Sequence, residues 1–357
     1  MTKKLSFLAL FAAAAMLCAA PVLSVNNAFL PDAGVALSVN LAAFNNSFLG
    51  EYVNHDVVKE LAKIAEFNLD PNDPVQTMFK ELIEKSTITL VTSLTINEAQ
   101  GVSNAPETAL AKTMFCIQLP QPIGPMVDAA IVALLGQKSD DCTIAPTTIN
   151  ECKGVQVTDK DDGLRLALVF DAPGKNIFVG SPELLAKQLT DEAAAAANQK
   201  LVAANASGLP GAFASLSMVV TDSLKAAIAE SNPQVAGFVS TVEDLNLSAA
   251  PAGNAINVRL LGNFLTPEIA GSIKSMVDAY LPQAKSMAPG LTNGQDVAFL
   301  DTISATQNGK GLAVACSLTQ QDIATIVQAV NTLTADFDDG DDDDDDDDDD
   351  GVEVEAL

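Results

Sequence analysis

The chain of 357 residues has no tryptophan, one histidine, two tyrosines and two arginines. Because Arg165 and Arg259 are the only arginines and the lysines are scattered, no basic stripe exists that could neutralise a nucleic acid backbone. We therefore exclude nucleic acid as a partner. The absence of tryptophan and the scarcity of tyrosine also remove the stacking surfaces common in sugar and single-strand binding sites. The apolar content is mainly Ala, Val, Leu, Ile and Phe, which are residues of packed cores.

The chain is equally poor in the residues that build catalytic and metal sites. His55 is the only histidine, and no GxSxG sequence supplies a serine nucleophile for it, so we interpret it as a surface residue at a helix start. A second histidine and a CxxC pair are both missing, which argues against a zinc or non-haem iron site and predicts no cofactor. No phosphate-binding glycine loop is present either.

Two acidic stretches resemble calcium loops only superficially. In "TDKDDG" the glycine, Gly163, follows Asp159 one position too early for an EF-hand, and Phe170 stands where the loop needs glutamate. We predict a hairpin turn there, and a turn also at "NLDPNDP", where Asp70 and Asp73 flank proline. No spacing marks a pair of catalytic carboxylates, so a hydrolase that uses Asp or Glu stays only an alternative.

The first residues are typical of a secretory signal peptide. Lys3 and Lys4 precede an apolar run from Leu5 to Cys18, and small residues follow it. We predict cleavage near Ala20 or Ser24, a secreted or periplasmic location, and no integral membrane segment after cleavage. The apolar run is too short for a span of about 20 residues.

Four cysteines follow the predicted signal peptide. In an oxidising compartment Cys142 and Cys152, which flank a polar stretch, are candidates for a disulfide that would contribute about 2–3 kcal/mol. Cys116 and Cys316 lie in apolar, strand-like runs, where a buried thiol behaves as a small hydrophobic group.

The body of the chain reads as two similar halves. Each begins with an alternating strand, "VALSVNL" or "FASLSMVV", and continues with two helical patterns, two strands, a strong amphipathic helix, a hairpin and a last helix. We predict a first domain over residues 25–190, a helical or flexible linker over 191–208 and a second domain over 209–335. The fold class is α+β, each half being a mostly antiparallel sheet with amphipathic helices on one face. Only the first half adds a short strand, "NIFVG", before its last helix.

Three helix starts support this division. Ser181 and Thr266 each precede a proline and a glutamate, which is the pattern of a capped first turn. Thr319 and Asp322 have the spacing of a capping box.

The stretch "ECKGVQV…LRLALVFDAPGKNIFVGSPELLAKQL" resembles a pattern of uncharacterised bacterial extracytoplasmic proteins. In these a Lys-Gly strand, a hairpin and a "GSPE"-type helix start recur, often in duplicated domains. The resemblance covers about half of the chain and implies a fold, with no activity and no catalytic residue to carry over.

Residues 336–357 form an acidic tail of thirteen aspartates and two glutamates without a cation. Repulsion between neighbouring carboxylates predicts an extended, disordered segment. We interpret the tail as a solubility element. An alternative is calcium or mineral binding through the tail, at about millimolar affinity because no rigid cage holds the ion. The candidate weak calcium ligands are Asp341, Asp342, Asp343, Asp344, Asp345, Asp346, Asp347, Asp348, Asp349 and Asp350.

These observations together predict an exported, non-enzymatic protein that binds or organises an unknown envelope or extracellular partner. The alternatives are a calcium- or mineral-associated protein that acts through the tail, and an Asp/Glu-dependent hydrolase.

Overall fold

The computed structural model describes residues 24–53, 81–82, 84–94, 106–136, 141–171, 173–190, 192–193, 197–291 and 298–325. The predicted signal peptide, His55, the Asp70–Asp73 turn and the acidic tail with its candidate calcium ligands lie outside these residues. The predictions made for them therefore stay predictions.

The described strands all belong to one antiparallel sheet of twelve strands, which confirms the α+β class. In chain order they are β1 (Val35–Asn40), β2 (Thr87–Thr92), β3 (Thr113–Gln118), β4 (Cys142–Ile149), β5 (Cys152–Asp159), β6 (Arg165–Phe170), β7 (Asn176–Gly180), β8 (Ala214–Val219), β9 (Val242–Ala252), β10 (Ala255–Phe264), β11 (Ser304–Asn308) and β12 (Gly311–Thr319).

The sheet runs without a break across the two predicted domains. Its order is β11-β12-β10-β9-β8-β1-β2-β3-β7-β6-β5-β4, and β1 of the first half pairs with β8 of the second. We call the β1–β8 pair the seam. Outward from the seam, β1-β2-β3-β7-β6 on one side has the same pattern of connections as β8-β9-β10-β12-β11 on the other. In the sheet, β4 and β5 of the first half have no equivalent strands in the second half. The sequence pattern instead identifies β7, the "NIFVG" strand, as the extra strand of the first half. The division into two domains stays a prediction.

The described α-helices flank this sheet. They are α1 (Leu41–Asn45), α2 (Phe48–Val53), α3 (Pro106–Lys112), α4 (Val127–Leu135), α5 (Pro182–Gln188), α6 (Gln199–Ala206), α7 (Asp222–Ser231), α8 (Pro233–Val239) and α9 (Pro267–Leu291). Short 3-10 helices occupy Val25–Ala28, Gly124–Met126 and Ala298–Thr302. The predicted caps are present: Ser181 Oγ accepts from the Leu184 amide, and Thr266 Oγ1 accepts from the Ile269 amide.

Helices cover both faces of the sheet. Side chains alternate along each strand, so the residues that pack together identify the face. On one face, Val127 and Ile131 of α4 pack against β3, β5, β6 and β7. On the other face, Leu185 of α5 packs against the opposite residues of β6 and β7, and Leu201 of α6 lies over β8, β9 and β1. The alternation in the sequence predicts one helical layer, but the apolar residues on both sides of β6 and β7 require two.

The two edge strands are poorly suited to further pairing. Edge strand β4 carries Pro146 in its interior. Proline cannot donate a ladder hydrogen bond, and an edge strand tolerates it because one of its sides has no neighbouring strand. The opposite edge strand, β11, is short and mostly polar. Both features discourage association between sheets.

The structure contradicts the candidate Cys142–Cys152 disulfide. The β4–β5 register pairs Cys142 with Asp159 and Cys152 with Ile149, so the two cysteines lie at opposite ends of one hairpin. Seven residue steps along a strand span roughly 23 Å. A disulfide requires a Cα–Cα distance of about 6 Å. Closeness in the sequence misleads here because the intervening residues form an extended strand and its turn.

Candidate functional site

A row of four leucines crosses the middle of the sheet. Leu37, Leu216, Leu247 and Leu260 are register partners on β1, β8, β9 and β10, and their side chains are 39%, 41%, 43% and 43% exposed. We call these residues the leucine row and the face that carries them the leucine face. Four large aliphatic groups are thus aligned, partly open to solvent, at right angles to the strands.

The positions around the leucine row are also apolar. On β1 the flanking residues of this face are Val35 and Val39, and on β8 they are Ala214 and Met218. Leu90 of β2 pairs with Leu37 but is less exposed than the four leucines of the row. All five are partly exposed rather than buried. The surface therefore offers contact area and no hydrogen-bonding side chain along β1 and β8.

The leucine row lies between two covered parts of the same face. Beyond β2, Phe115 and Val179 belong to the core beneath α4. At the other side, Leu245 and Val314 belong to a core with Ile269 and Ile273 of α9. The face is thus covered at both sides and partly open in the middle.

The opposite face at the seam is polar and closed. Ser38, Ser215, Ser217 and Ser248 alternate with the leucines and define the serine face. The last three are buried beneath α6, whose Leu201 is fully buried. The usual arrangement is thereby reversed, because a half-buried strand normally turns its apolar side to the core.

Hydrogen bonds make this burial tolerable. The Asn246 side-chain amide donates to Ser215 Oγ at 2.8 Å and to Ser217 Oγ at 2.9 Å. Asn205 of α6 accepts from Ser217 Oγ at 3.4 Å and from Ser38 Oγ at 3.2 Å. One side chain of α6 therefore holds strands from both sides of the seam, and buried hydroxyl groups keep their hydrogen bonds.

Arg259 completes the polar layer at the end of α6. Its guanidinium donates to the Ser207 carbonyl, which follows the last turn of that helix, where a cation interacts favourably with the helix dipole. Arg259 Nε and Asn246 Oδ1 are buried without a protein partner. Register places their residues diagonally on β10 and β9. A donor and an acceptor so arranged are suited to a bridging water.

Asp171 is the most buried carboxylate of the described residues. It follows β6, and its Oδ1 accepts from the Lys175 and Asn176 amides at 2.8 and 2.9 Å, while Oδ2 accepts from the Asn176 side chain at 2.7 Å. Burial raises the pKa of Asp171, although these hydrogen bonds oppose the shift. All of its partners belong to the β6–β7 turn, so its evident role is to hold that turn.

Asp322 is the second buried carboxylate and forms the predicted capping box. Its Oδ2 accepts from the Thr319 amide at 2.8 Å, and its own amide donates to Thr319 Oγ1 at 3.2 Å. Burial raises the pKa of Asp322, but hydrogen bonds from Thr319 and Phe299 outweigh burial, and the net shift is downward. Both buried carboxylates thus hold the backbone: Asp171 within its own turn, and Asp322 at its helix start and at the Phe299 amide of the 3-10 helix Ala298–Thr302.

The buried thiols are poor nucleophiles. Burial, reinforced by the charge of Asp171, raises the pKa of Cys116 and also raises that of Cys152, the latter to about 12. Because the thiolate is the reactive form, neither group is activated. Cys316, which is half-buried, also has a raised pKa through burial.

The "TDKDDG" stretch is the predicted turn between β5 and β6. Asp159 Oδ1 accepts from the Asp161 amide at 2.8 Å, and Gly163 adopts a φ of 71°, which favours glycine. In the described part of the chain, no group of three or more His, Cys, Asp or Glu side chains is placed to hold a metal ion.

Similarity to known proteins is confined to distant structural likeness. No protein-family model and no curated protein matches the chain. Among solved structures, crystal form I of TP0453, a Treponema envelope protein, matches with a TM-score of 0.40 at 10% identity over 86% of this chain and 98% of that chain. Crystal form IV of TP0453 matches with a TM-score of 0.37 at 12% identity over 84% and 96% of the two chains. Among the described helices, none is both long and apolar enough to cross a membrane.

None of the residues selected from the sequence lies in the leucine row. Cys142 and Cys152 are held apart in one hairpin, and Asp341–Asp350 lie beyond the described residues. The signal for the row was present in "VALSVNL" and "FASLSMVV", whose alternation places Leu37 and Leu216 on one face. The alternation does not show which face of the sheet, the leucine face or the serine face, becomes covered by a helix.

Proposed function

We propose that the protein is an exported, non-enzymatic binding protein of the cell envelope, with the leucine row as its binding surface. The observation that carries the proposal is the partly open row itself. Four aligned leucines with exposures near two-fifths, beside the apolar residues of β1 and β8, form a contiguous apolar surface that suits an apolar ligand. Export is supported by the N-terminal Lys-Lys and apolar pattern.

The enzymatic alternative lacks a supporting observation in the described residues. Asp171 and Asp322 are buried, but each is engaged by backbone amides: Asp171 by those of its own turn, and Asp322 by those of Thr319 and Phe299. The raised pKa values of Cys116 and Cys152, which follow from burial, disfavour a thiolate nucleophile. A binding role requires none of these groups.

A titration with Nile red, an uncharged dye that fluoresces in apolar surroundings, tests the binding function. The full chain should give a saturable signal. Leu216→Lys, which places a charge in the middle of the leucine row, should weaken the affinity at least about tenfold because the ammonium group would have to be desolvated. Val132→Lys is the matched control, since Val132 lies on α4 and is 67% exposed. Equal titrations for all three proteins would remove the leucine row as a binding surface.

A further inference from the structure

We propose that the leucine row binds the single acyl chain of a monoacyl amphiphile, laid across strands β10, β9, β8 and β1. This inference rests on the binding function proposed above and names the chemical class of its ligand. Three properties of the surface lead to it: its chemistry, its size and the charge of the chain.

The chemistry of the surface selects an aliphatic ligand. Along β1 and β8 the leucine face presents Val35, Leu37, Val39, Leu216 and Met218, with neither a hydrogen-bonding nor an aromatic group. An extended peptide laid on this surface would lose water from its N–H and C=O groups without gaining partners. A hydrocarbon chain has no such groups to satisfy.

The size of the row also matches one chain. Neighbouring strands lie about 4.8 Å apart, so the three steps from Leu260 to Leu37 span roughly 14 Å, close to an extended chain of about twelve carbons. The exposed parts of the four leucine side chains amount to roughly 200 Å² when full burial of one leucine is set at about 120 Å². A stable protein–protein interface buries about 800 Å² on each partner. The row is therefore too small to hold a second copy of the chain by itself.

The charge of the chain argues in the same direction. A formal net charge of −27 opposes association with a second copy and with a membrane surface rich in anionic lipids. A single amphiphile with a zwitterionic head avoids both penalties.

The test is competition between Nile red and lysophosphatidylcholine on the full chain, at lipid concentrations below micelle formation. We expect the twelve-carbon lysolipid to displace the dye at one lipid per chain, and the eight-carbon form to bind at least about tenfold more weakly because fewer methylenes are buried. Leu216→Lys should weaken displacement at least tenfold, and Val132→Lys should leave it unchanged. Leu247→Ser is a second, milder variant that should also weaken it.

The contrary outcomes are distinct. Saturable dye binding that no lysolipid displaces would overturn the acyl-chain inference and leave the binding function in place. Absence of dye binding would overturn both. Light scattering that shows a dimer dissociated by Leu216→Lys would assign the row to a second copy. Co-sedimentation with phosphatidylcholine vesicles that Leu216→Lys abolishes, without binding of monomeric lysolipid, would assign it to a bilayer.

Discussion

Leu37 and Leu216 face each other across the seam, one contributed by each predicted domain. Both halves therefore contribute to the leucine row, because Leu37 lies on β1 and the other three leucines lie on β8 and on the two strands that follow it in the sheet. On the reverse side Asn205 makes the same connection with hydrogen bonds to Ser38 and Ser217. The candidate site depends on the correct pairing of the seam.

The buried amide of Asn246 should contribute strongly to stability. Asn246→Ala removes the donor that Ser215 and Ser217 both use, and leaves their buried hydroxyl oxygens without it. We expect the free energy of unfolding to fall by about 2–3 kcal/mol, as measured by urea denaturation. Asn257→Ala, at an exposed position of neighbouring β10, should change it by less than about 0.5 kcal/mol. Equal effects of the two substitutions would contradict the role of the polar layer.

Gly154 should not tolerate any side chain. A Cβ at this position would lie 1.8 Å from the Leu168 carbonyl oxygen of the paired strand β6. Since backbone must move, Gly154→Ala should lower the free energy of unfolding by about 3 kcal/mol or more. Gly180→Ala is the control in the same sheet, because its Cβ would meet atoms no nearer than 3.6 Å. A thermal scan of both variants decides whether β5 and β6 approach as closely as described.

Because of Asp171, the free energy of unfolding should be higher in mild acid than at neutral pH. Its folded pKa lies above the unfolded value, so the folded state binds more protons between the two values. The contribution of Asp171 to the free energy of unfolding is therefore most favourable below the unfolded pKa near 3.8 and declines as pH rises through the folded pKa.

Asp171→Asn should remove this part of the pH dependence while its amide oxygen still accepts from the backbone. The measurement is urea denaturation from pH 4 to pH 7, with Asp32→Asn at an exposed position as control. Unchanged pH dependence in Asp171→Asn would show that another group is responsible.

Alkylation under native conditions should spare two cysteines. Cys116 and Cys152 are buried and their pKa values are raised by that burial, so iodoacetamide should modify them only after unfolding. In unfolded protein that has not been reduced, Cys142 and Cys152 should both be modified, because their sulfurs are not joined to each other. Peptide mass spectrometry distinguishes this result from a disulfide, which would protect both until a reductant is added.

Removal of the acidic tail should lower solubility without altering calcium binding. The tail carries −15 of the formal net charge of −27. Calorimetric injection of calcium into the full chain and into a chain that ends at Thr334 should give equal heats if the tail serves solubility. A difference corresponding to about millimolar sites would support the calcium alternative.

Local sequence signals predicted most elements and their ends. The alternation of "VALSVNL" and the caps at Ser181 and Thr266 are read from adjacent residues, and the structure has them where expected. The leucine row was not predicted because its members come from four strands, and their alignment depends on the pairing order of the whole sheet. Burial of the serine face depends on α6, a segment that the alanine-rich pattern indicated only as a helical or flexible linker.

The two partners of the seam are about 180 positions apart in the chain. Contacts so distant in sequence are slow to form, since a long loop must close before they contribute. During synthesis, β1 emerges well before β8, and one edge of the early strands stays unpaired until the later half arrives. The leucine row therefore forms late in folding, because it exists only once β1 and β8 have paired.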